Sequence, residues 1–212
     1  MSYRVQEIFA TLQGEGAQSG RAAVFLRFAG CNLWNGDPST RATATCRFCD
    51  TDFTSLSGPR AGVYPDARSL AETVRSVWTG TGGTPLVVCT GGEPTLQMDA
   101  RLVDALHREG FSIAMETNGT QAVLPGVDWI TVSPKAGARW VQRSGQELKV
   151  VWPQPFELAE LETLDFGHFF LQPMDDADPV RAASNREATV AACLVRPAWR
   201  LSFQTHKALG IA

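Results

Sequence analysis

The sequence predicts an α/β fold, built as a partial, open β/α barrel with about six mostly parallel strands. Short apolar runs alternate with helical patterns along most of the 212 residues. Such alternation is typical of parallel strands joined by crossover helices. A complete eight-fold barrel usually takes about 250 residues, and the chain offers too few strand–helix steps for one. We therefore expect a single domain, 1–212, with an open sheet.

The strand-like runs are rich in Val, Ile, Leu and Phe and end in turn or polar residues. They are 4–9, 22–30, 85–94, 111–119, 129–135, 147–153, 168–174 and 200–207. The spacing of apolar residues predicts helices over 69–78, 98–110 and 178–195. Ser69 and Glu72 have the spacing of a capping box at the start of the first helix. Gly110 suits the end of the second helix, and Pro179 suits the first turn of the third.

The composition argues against several classes of function. The chain is 44% hydrophobic and 19% charged, with a net charge of -3 and scattered Lys and Arg residues. These features give no sign of a nucleic-acid-binding or membrane-binding surface. The N-terminus lacks the layout of a signal peptide, and no apolar run approaches the length of a membrane span. We expect a cytoplasmic protein whose five cysteines are free thiols or ligands of a metal or cluster.

Polar residues follow several of the predicted strands at their carboxyl ends. In an open sheet of parallel strands these ends meet at one edge, where a ligand site is expected. The residues in question are Thr90, Gly91, Gly92, Glu93, Glu116, Asn118, Ser133, Lys135, Gln172 and Asp175.

Three of the cysteines, Cys31, Cys46 and Cys49, form a C-x14-C-x2-C pattern with no fourth ligand nearby. Structural zinc normally closes with four ligands, and the three histidines are remote in sequence. An iron–sulfur cube held by three thiolates instead leaves one iron able to bind a further group. The cysteines alone leave the cluster and zinc equally open. Cys89 and Cys193 suit small buried apolar positions.

A second motif, "CTGGEPTL" (89–96), lies after an apolar strand, and together with the three cysteines it resembles the radical S-adenosylmethionine enzymes. Further matching segments resemble the 7-carboxy-7-deazaguanine synthases among them. These segments are "EIFATLQGEG" (7–16), "FLRFAGCNL" (25–33), "CDTDF" (49–53), "TGGEPTLQ" (90–97), "ETNGT" (116–120), "VSPK" (132–135), "FLQPMD" (170–175) and "RLSFQTHK" (200–207). One departure is the fourteen-residue gap between the first two cysteines, where most of the superfamily has three. Some members of the family carry such an expanded loop, here 31–49.

The resemblance implies a lyase that turns 6-carboxy-5,6,7,8-tetrahydropterin into 7-carboxy-7-deazaguanine, on the route to queuosine or another deazapurine. It implies a [4Fe-4S] cluster, S-adenosylmethionine and Mg²⁺ as cofactors. A homodimer and a small electron donor, a flavodoxin or ferredoxin, are further expectations. Two alternatives stay open at this point: an activase of glycyl-radical enzymes, and a non-catalytic zinc or iron–sulfur module.

The resemblance also implies roles for individual residues. Cys31, Cys46 and Cys49 would hold the cluster, and Thr51 would bind Mg²⁺. The expected contacts with S-adenosylmethionine are Phe48, Cys49, Asp50, Gly92, Glu93, Ser133, Pro134, Lys135, Gln172, Pro173, Met174 and Asp175. The expected contacts with the pterin are Leu12, Gln13, Gly14, Glu15, Arg27 and Thr90.

Two of these substrate roles have a chemical reason. The Glu15 carboxylate can accept from the adjacent N–H donors of a pterin edge, and the Arg27 guanidinium suits the substrate carboxylate. Glycines 91 and 92 are expected to admit the cofactor close to the main chain. The polar segment Gln204, Thr205, His206 and Lys207 would either close the substrate side or form a surface strand, with individual roles left open.

Overall fold

The computed structural model describes residues 2–211, and within this range it forms one sheet of nine strands. The strands are β1 (Tyr3–Leu12), β2 (Ala22–Phe28), β3 (Gly62–Tyr64), β4 (Leu86–Gly91), β5 (Ser112–Thr117), β6 (Trp129–Val132), β7 (Ser144–Trp152), β8 (Asp165–Pro173) and β9 (Trp199–Leu201). Their order is β3-β1-β2-β4-β5-β6-β7-β8-β9, so β3 and β9 are edges and the sheet stays open.

Seven of these strands, from β2 to β9 across the sheet, pair in parallel with their neighbours. Only β1 is antiparallel to its neighbours, β2 and β3. The prediction of an open, mostly parallel sheet is therefore confirmed. The predicted number of strands, about six, was too low, because the sheet has nine. The parallel arrangement matters for function, because it brings the carboxyl ends of most strands to one edge.

Five α-helices accompany the sheet within the described range. They are α1 (Ala67–Val77), α2 (Ala100–Arg108), α3 (Leu158–Leu161), α4 (Pro179–Val195) and α5 (Thr205–Leu209). The main core lies where α1 and α2 cover the sheet, with Leu70, Leu106, Leu26 and Ile113 all fully buried. A second apolar cluster surrounds β7 and β8. No helix within residues 2–211 is long and apolar enough to cross a membrane.

Two local predictions are wrong. Helix α1 begins at Ala67, so the cap is Asp66, which accepts from the Ser69 amide at 2.8 Å, while Glu72 pairs with Arg68 instead of reaching back. The predicted last strand, 200–207, ends at Leu201, and α5 follows it. The end of α2 is as predicted, since Gly110 adopts a left-handed φ of 84° two residues after Arg108.

The chain makes its last sheet bond at Ser202 and then turns away from β9, because Thr205 contacts the loop after β1 instead of continuing beside β8. The Ser202 amide donates to Leu171 O at 2.8 Å, and the Thr205 amide donates to Gly14 O at 3.0 Å. The second bond lays the C-terminal segment across the loop after β1, beside the carboxyl ends of the parallel strands.

Candidate active site

The carboxyl ends of β4, β5, β7 and β8, with the loops after β1 and β2, surround a cavity of about 410 Å³. Seventeen of the sequence-predicted site residues line it: Leu12, Gln13, Glu15, Arg27, Cys31, Cys46, Phe48, Cys49, Asp50, Thr51, Thr90, Gly92, Ser133, Lys135, Gln172, Pro173 and Asp175. Four others are not among its lining residues: Gly14, Glu93, Pro134 and Met174.

The cluster loop, 31–49, is tied at its base and carries the three cysteines on the cavity wall. The Gly30 amide donates to Phe53 O at 2.9 Å, which joins the two chain segments that flank the loop. Inside it, the Cys46 amide donates to Leu33 O at 3.3 Å. These bonds bring Cys46 back beside the strand end that leads to Cys31.

The long gap between Cys31 and Cys46 folds around Arg41 and Trp34. Arg41 lies over the Trp34 ring, with its guanidinium carbon 4.0 Å from the ring centroid. Its Nη1 donates to the carbonyls of Arg47 at 3.1 Å and Cys49 at 3.0 Å. The insertion thus holds the main chain of the C-x2-C turn, with Trp34 buried against Phe53 beneath it.

The donor chemistry of the loop fits an iron–sulfur cluster. The three side chains supply sulfur ligands, which a cluster requires as thiolates. The contact with Cys49 lowers the pKa of Cys46 to about 7, while the same contact raises the pKa of Cys49 and burial raises that of Cys31. Within residues 2–211 no three His, Cys, Asp or Glu side chains are grouped closely enough to hold one metal ion.

The two glycines of the "GGEP" segment are required by contact with the end of β2. A Cβ on Gly92 would stand 1.9 Å from Gly30 O, and one on Gly91, whose φ is 103°, would stand 2.5 Å from Phe28 O. The amides of Gly92 and Glu93 donate to Phe28 O and Gly30 O, each at 2.9 Å. The close approach is therefore between two segments of the chain, and it fixes the residue before Cys31.

The Glu93 carboxylate is fully buried and accepts hydrogen bonds from neighbouring protein groups. One oxygen accepts from the Thr95 amide, the Thr95 hydroxyl and the Thr117 hydroxyl, at 3.1, 2.6 and 2.7 Å. The other accepts from the Asn118 amide at 2.7 Å. The side chain therefore joins the end of β4 to the end of β5, and the cavity lining in this segment comes from Gly91 and Gly92.

A buried group of charged side chains surrounds Glu15 on the cavity wall. Lys149 Nζ contacts Glu15 Oε2 and lies 3.5 Å from Glu116 Oε1. Gln172 and Gln204 donate to Glu15 Oε1 at 3.1 and 2.8 Å. Burial alone would raise the pKa of Glu15, but Lys149 and these donors lower it to about 2. Glu15 is thus held as a carboxylate.

Several members of this group were not assigned roles from the sequence. Glu116 was expected only as a strand-end polar residue, and Gln13 Nε2 donates to it at 2.9 Å. Lys149 and Glu147 were not expected at all, because they lie inside a strand and not at its end. Their alternation with apolar Leu148 and Val150 on β7 was the available signal, since it sets charged side chains on one face of a buried strand.

Arg27 lines the cavity from β2, beside Glu7. Its Nε is 2.9 Å from Glu7 Oε1 without the alignment of a hydrogen bond, and the guanidinium carbon is 5.5 Å from the Phe9 and Phe25 ring centroids. A half-paired guanidinium between two aromatic rings can still meet an incoming carboxylate, because its fork has five donors.

The C-terminal segment closes this side of the cavity with specific contacts. Lys207 Nζ lies 2.7 Å from Asp50 Oδ2 and 2.6 Å from Asp175 Oδ2. Gln204 Nε2 donates to Asp50 as well as to Glu15. Across the cavity, Lys135 Nζ donates to the Ser133 carbonyl and hydroxyl at 2.6 and 2.8 Å.

Comparison with known proteins agrees with this arrangement. The sequence model described as the Radical SAM superfamily matches residues 38–145. Curated proteins named 7-carboxy-7-deazaguanine synthase from Caulobacter vibrioides and Bradyrhizobium diazoefficiens are 56% and 54% identical, over the full length of both chains. A crystal structure of QueE from Escherichia coli matches with a TM-score of 0.67 at 27% identity, covering 96% of this chain and 94% of that one.

The open parallel sheet with three cysteines at its edge is that of a radical S-adenosylmethionine lyase, a class that uses a [4Fe-4S] cluster. Within that class, the chain belongs to the 7-carboxy-7-deazaguanine synthase family. The predictions of family, fold, enzyme class and cofactors are confirmed at this level.

Proposed function

We propose that this chain converts 6-carboxy-5,6,7,8-tetrahydropterin into 7-carboxy-7-deazaguanine, with contraction of a ring and loss of ammonia. The observation that carries the proposal is one cavity lined both by Cys31, Cys46 and Cys49 and by Glu15, Lys149 and Glu116. A radical reaction requires the cofactor and the substrate in one enclosure from which water is kept out. The names of the relatives supply the product.

At the cofactor end, Cys31, Cys46 and Cys49 would hold the cluster, with one iron left for S-adenosylmethionine. When bound, these groups supply the one-electron chemistry that starts the ring contraction. The residues we assign to positioning S-adenosylmethionine are Phe48, Cys49, Asp50, Gly92, Ser133, Lys135, Gln172, Pro173 and Asp175. Glu93, Pro134 and Met174 would contribute through the main chain. Lys207 supports the assignment of Asp50 and Asp175, because it holds both carboxylates in place.

At the substrate end, Glu15 would accept from the N–H donors of the pterin, and Arg27 would bind its carboxylate. Gln13 and Thr90 offer further polar groups, and Leu12 and Gly14 would contribute through the main chain. We assign Mg²⁺ to the Thr51 hydroxyl, which lies two residues after Cys49 on the cavity wall. Mg²⁺ usually keeps several waters and takes few protein ligands, so one hydroxyl beside a substrate carboxylate is adequate.

We further propose that the chain acts as one domain, 1–212, and assembles as a homodimer. The electron for the cluster would come from a small flavodoxin or ferredoxin. The electron donor would bind near the cluster loop, because this segment carries the three cysteines.

Anaerobic reconstitution with iron and sulfide, followed by reductant, S-adenosylmethionine, Mg²⁺ and the carboxytetrahydropterin, tests the function. We expect about four irons per chain and formation of the deazaguanine product, detected by mass spectrometry. Reactions without pterin or without reductant are the controls. Iron binding without product would exclude the assigned substrate and leave the activase alternative, and stoichiometric zinc without iron would exclude the radical chemistry.

A further inference from the structure

Lys149 is a buried cation in the middle of the sheet, where a charge is costly unless it is compensated. It lies on β7, paired on both sides by β6 and β8, and only 3% of it is exposed. Its sequence neighbours Leu148 and Val150 are fully buried on the other face of the strand. A lysine in such a place must be held by carboxylates, and the carboxylates it holds both reach the cavity.

Lys149 is one positive group surrounded by a larger number of acidic side chains. Three carboxylates face its ammonium: Glu15 and Glu116 by direct contact, and Glu147 through space. Burial alone lowers the pKa of Lys149, and the three carboxylates raise it well above its ordinary value. Burial also raises the pKa of Glu147. Lys149 lies between the Glu15 and Glu116 carboxyl groups and therefore offsets the repulsion between them.

Hydrogen-bond donors hold the two carboxylates in a fixed arrangement. Gln13 links the Glu116 carboxylate to the main chain of Glu15, because its Nε2 donates to Glu116 and its Oε1 accepts from the Glu15 amide at 3.1 Å. Glu147 accepts from the Ala17 amide at 2.9 Å and fixes the turn that follows Glu15. Other titratable groups close to Glu15 and Lys149 are His206, Asp50 and Lys135.

From these contacts we infer that Lys149 is a positioning residue that keeps Glu15 and Glu116 as a paired acceptor for the amino-pyrimidinone edge of the substrate. That edge presents neighbouring N–H donors, as a guanidinium does, and suits two fixed carboxylates. A site built this way favours ligands that present these donors, because each N–H that meets a fixed carboxylate adds a charge-assisted hydrogen bond. The inference rests on the proposed function, since it assigns the pterin to this end of the cavity.

The test is Lys149→Met, which keeps the length and removes the charge, beside Lys149→Arg, which keeps the charge. Reconstituted enzyme is assayed for KM and kcat, and 6-carboxypterin binding is measured by calorimetry on the same proteins. We expect Lys149→Met to raise KM and to weaken 6-carboxypterin binding, each on the order of a hundredfold. We expect kcat to change far less. Lys149→Arg should recover most of the affinity.

A second ligand, the same pterin without its 2-amino group, separates positioning from general damage. Lys149→Met should weaken its binding much less than it weakens 6-carboxypterin binding, whereas a merely structural lysine would weaken both equally.

The inference is overturned if Lys149→Met binds 6-carboxypterin within about threefold of wild type, or loses both ligands equally. Should that variant not fold, Lys149→Met with Glu116→Gln removes one charge of each sign. The double variant should fold and should bind 6-carboxypterin and the analogue without the 2-amino group with similar affinity. A retained preference for 6-carboxypterin would refute the positioning role of Lys149. Absence of turnover in the wild-type enzyme would instead refute the proposed function.

Discussion

Replacement of Glu93 by glutamine should destabilise the protein by about 3 kcal/mol. The carboxylate accepts four hydrogen bonds, three on one oxygen and one on the other. A glutamine can keep the three bonds to Thr95 and Thr117 on its carbonyl oxygen, but its NH₂ group then faces the Asn118 amide. The charge-assisted bond from the Asn118 amide is lost, at about 1.5–3 kcal/mol, and this leaves the Asn118 N–H and the new NH₂ group buried without acceptors.

Urea denaturation of the cluster-free protein measures this loss, and the melting temperature should fall by about 9 °C. Glu72→Gln is the matched control, because that exposed carboxylate makes only a surface pair with Arg68 and its loss should cost less than about 1 kcal/mol. If Glu93→Gln unfolds like wild type but binds S-adenosylmethionine more than about tenfold less tightly, the carboxylate acts on the cofactor and the structural reasoning fails.

Cys46→Ala should abolish cluster assembly, measured by iron content and visible absorption. Cys89→Ala is the control and should retain the cluster, because Cys89 is buried in the core. Iron retained by the Cys46 variant would show that Cys46 is not a ligand. Gly92→Ala should lower iron content and stability together, since its Cβ would meet Gly30 O at 1.9 Å; a wild-type melting curve would contradict this. The pKa of Glu15 is lowered to about 2 in the folded state, so its stabilisation is present above its unfolded value near 4.5 and is lost as pH falls toward 2. Glu15→Gln should flatten the stability curve in that range, and an unchanged acid slope would refute the assignment.

Most of the fold follows from the sequence because the parallel strands are buried on both faces. Segments such as β4 and β5 are then near-continuous apolar runs that are recognisable without an alignment. Strand β3 has only three residues, none of them fully buried, and it gives no such signal. The segment after Leu201 has strand-like residues, but its contact with Gly14 decides its path, and that contact joins residues 191 apart.

The sequence predicts the site residues that lie at strand ends. It predicts less well in which direction an individual side chain points. The rule that parallel strands end at one edge brought together Thr90, Ser133 and Gln172. It gave no information on where the Glu93 carboxylate points, because its partners Thr117 and Asn118 belong to the next strand. Lys149 was missed for a related reason, since its carboxylate partners lie far away in the sequence, Glu15 in the loop after β1 and Glu116 on β5.

The hydrogen bond between Gly30 and Phe53 makes the cysteine-bearing segment a self-contained module. Because both of its ends meet at one backbone contact, residues can be added or removed between them while β2 and the neighbouring strands keep their register. Doubling the length of such a closed segment costs only about 0.6 kcal/mol. Evolution could therefore lengthen the rim around the cysteines without rebuilding the sheet, and a loop exchange with a short-spaced relative can be made at these same two residues.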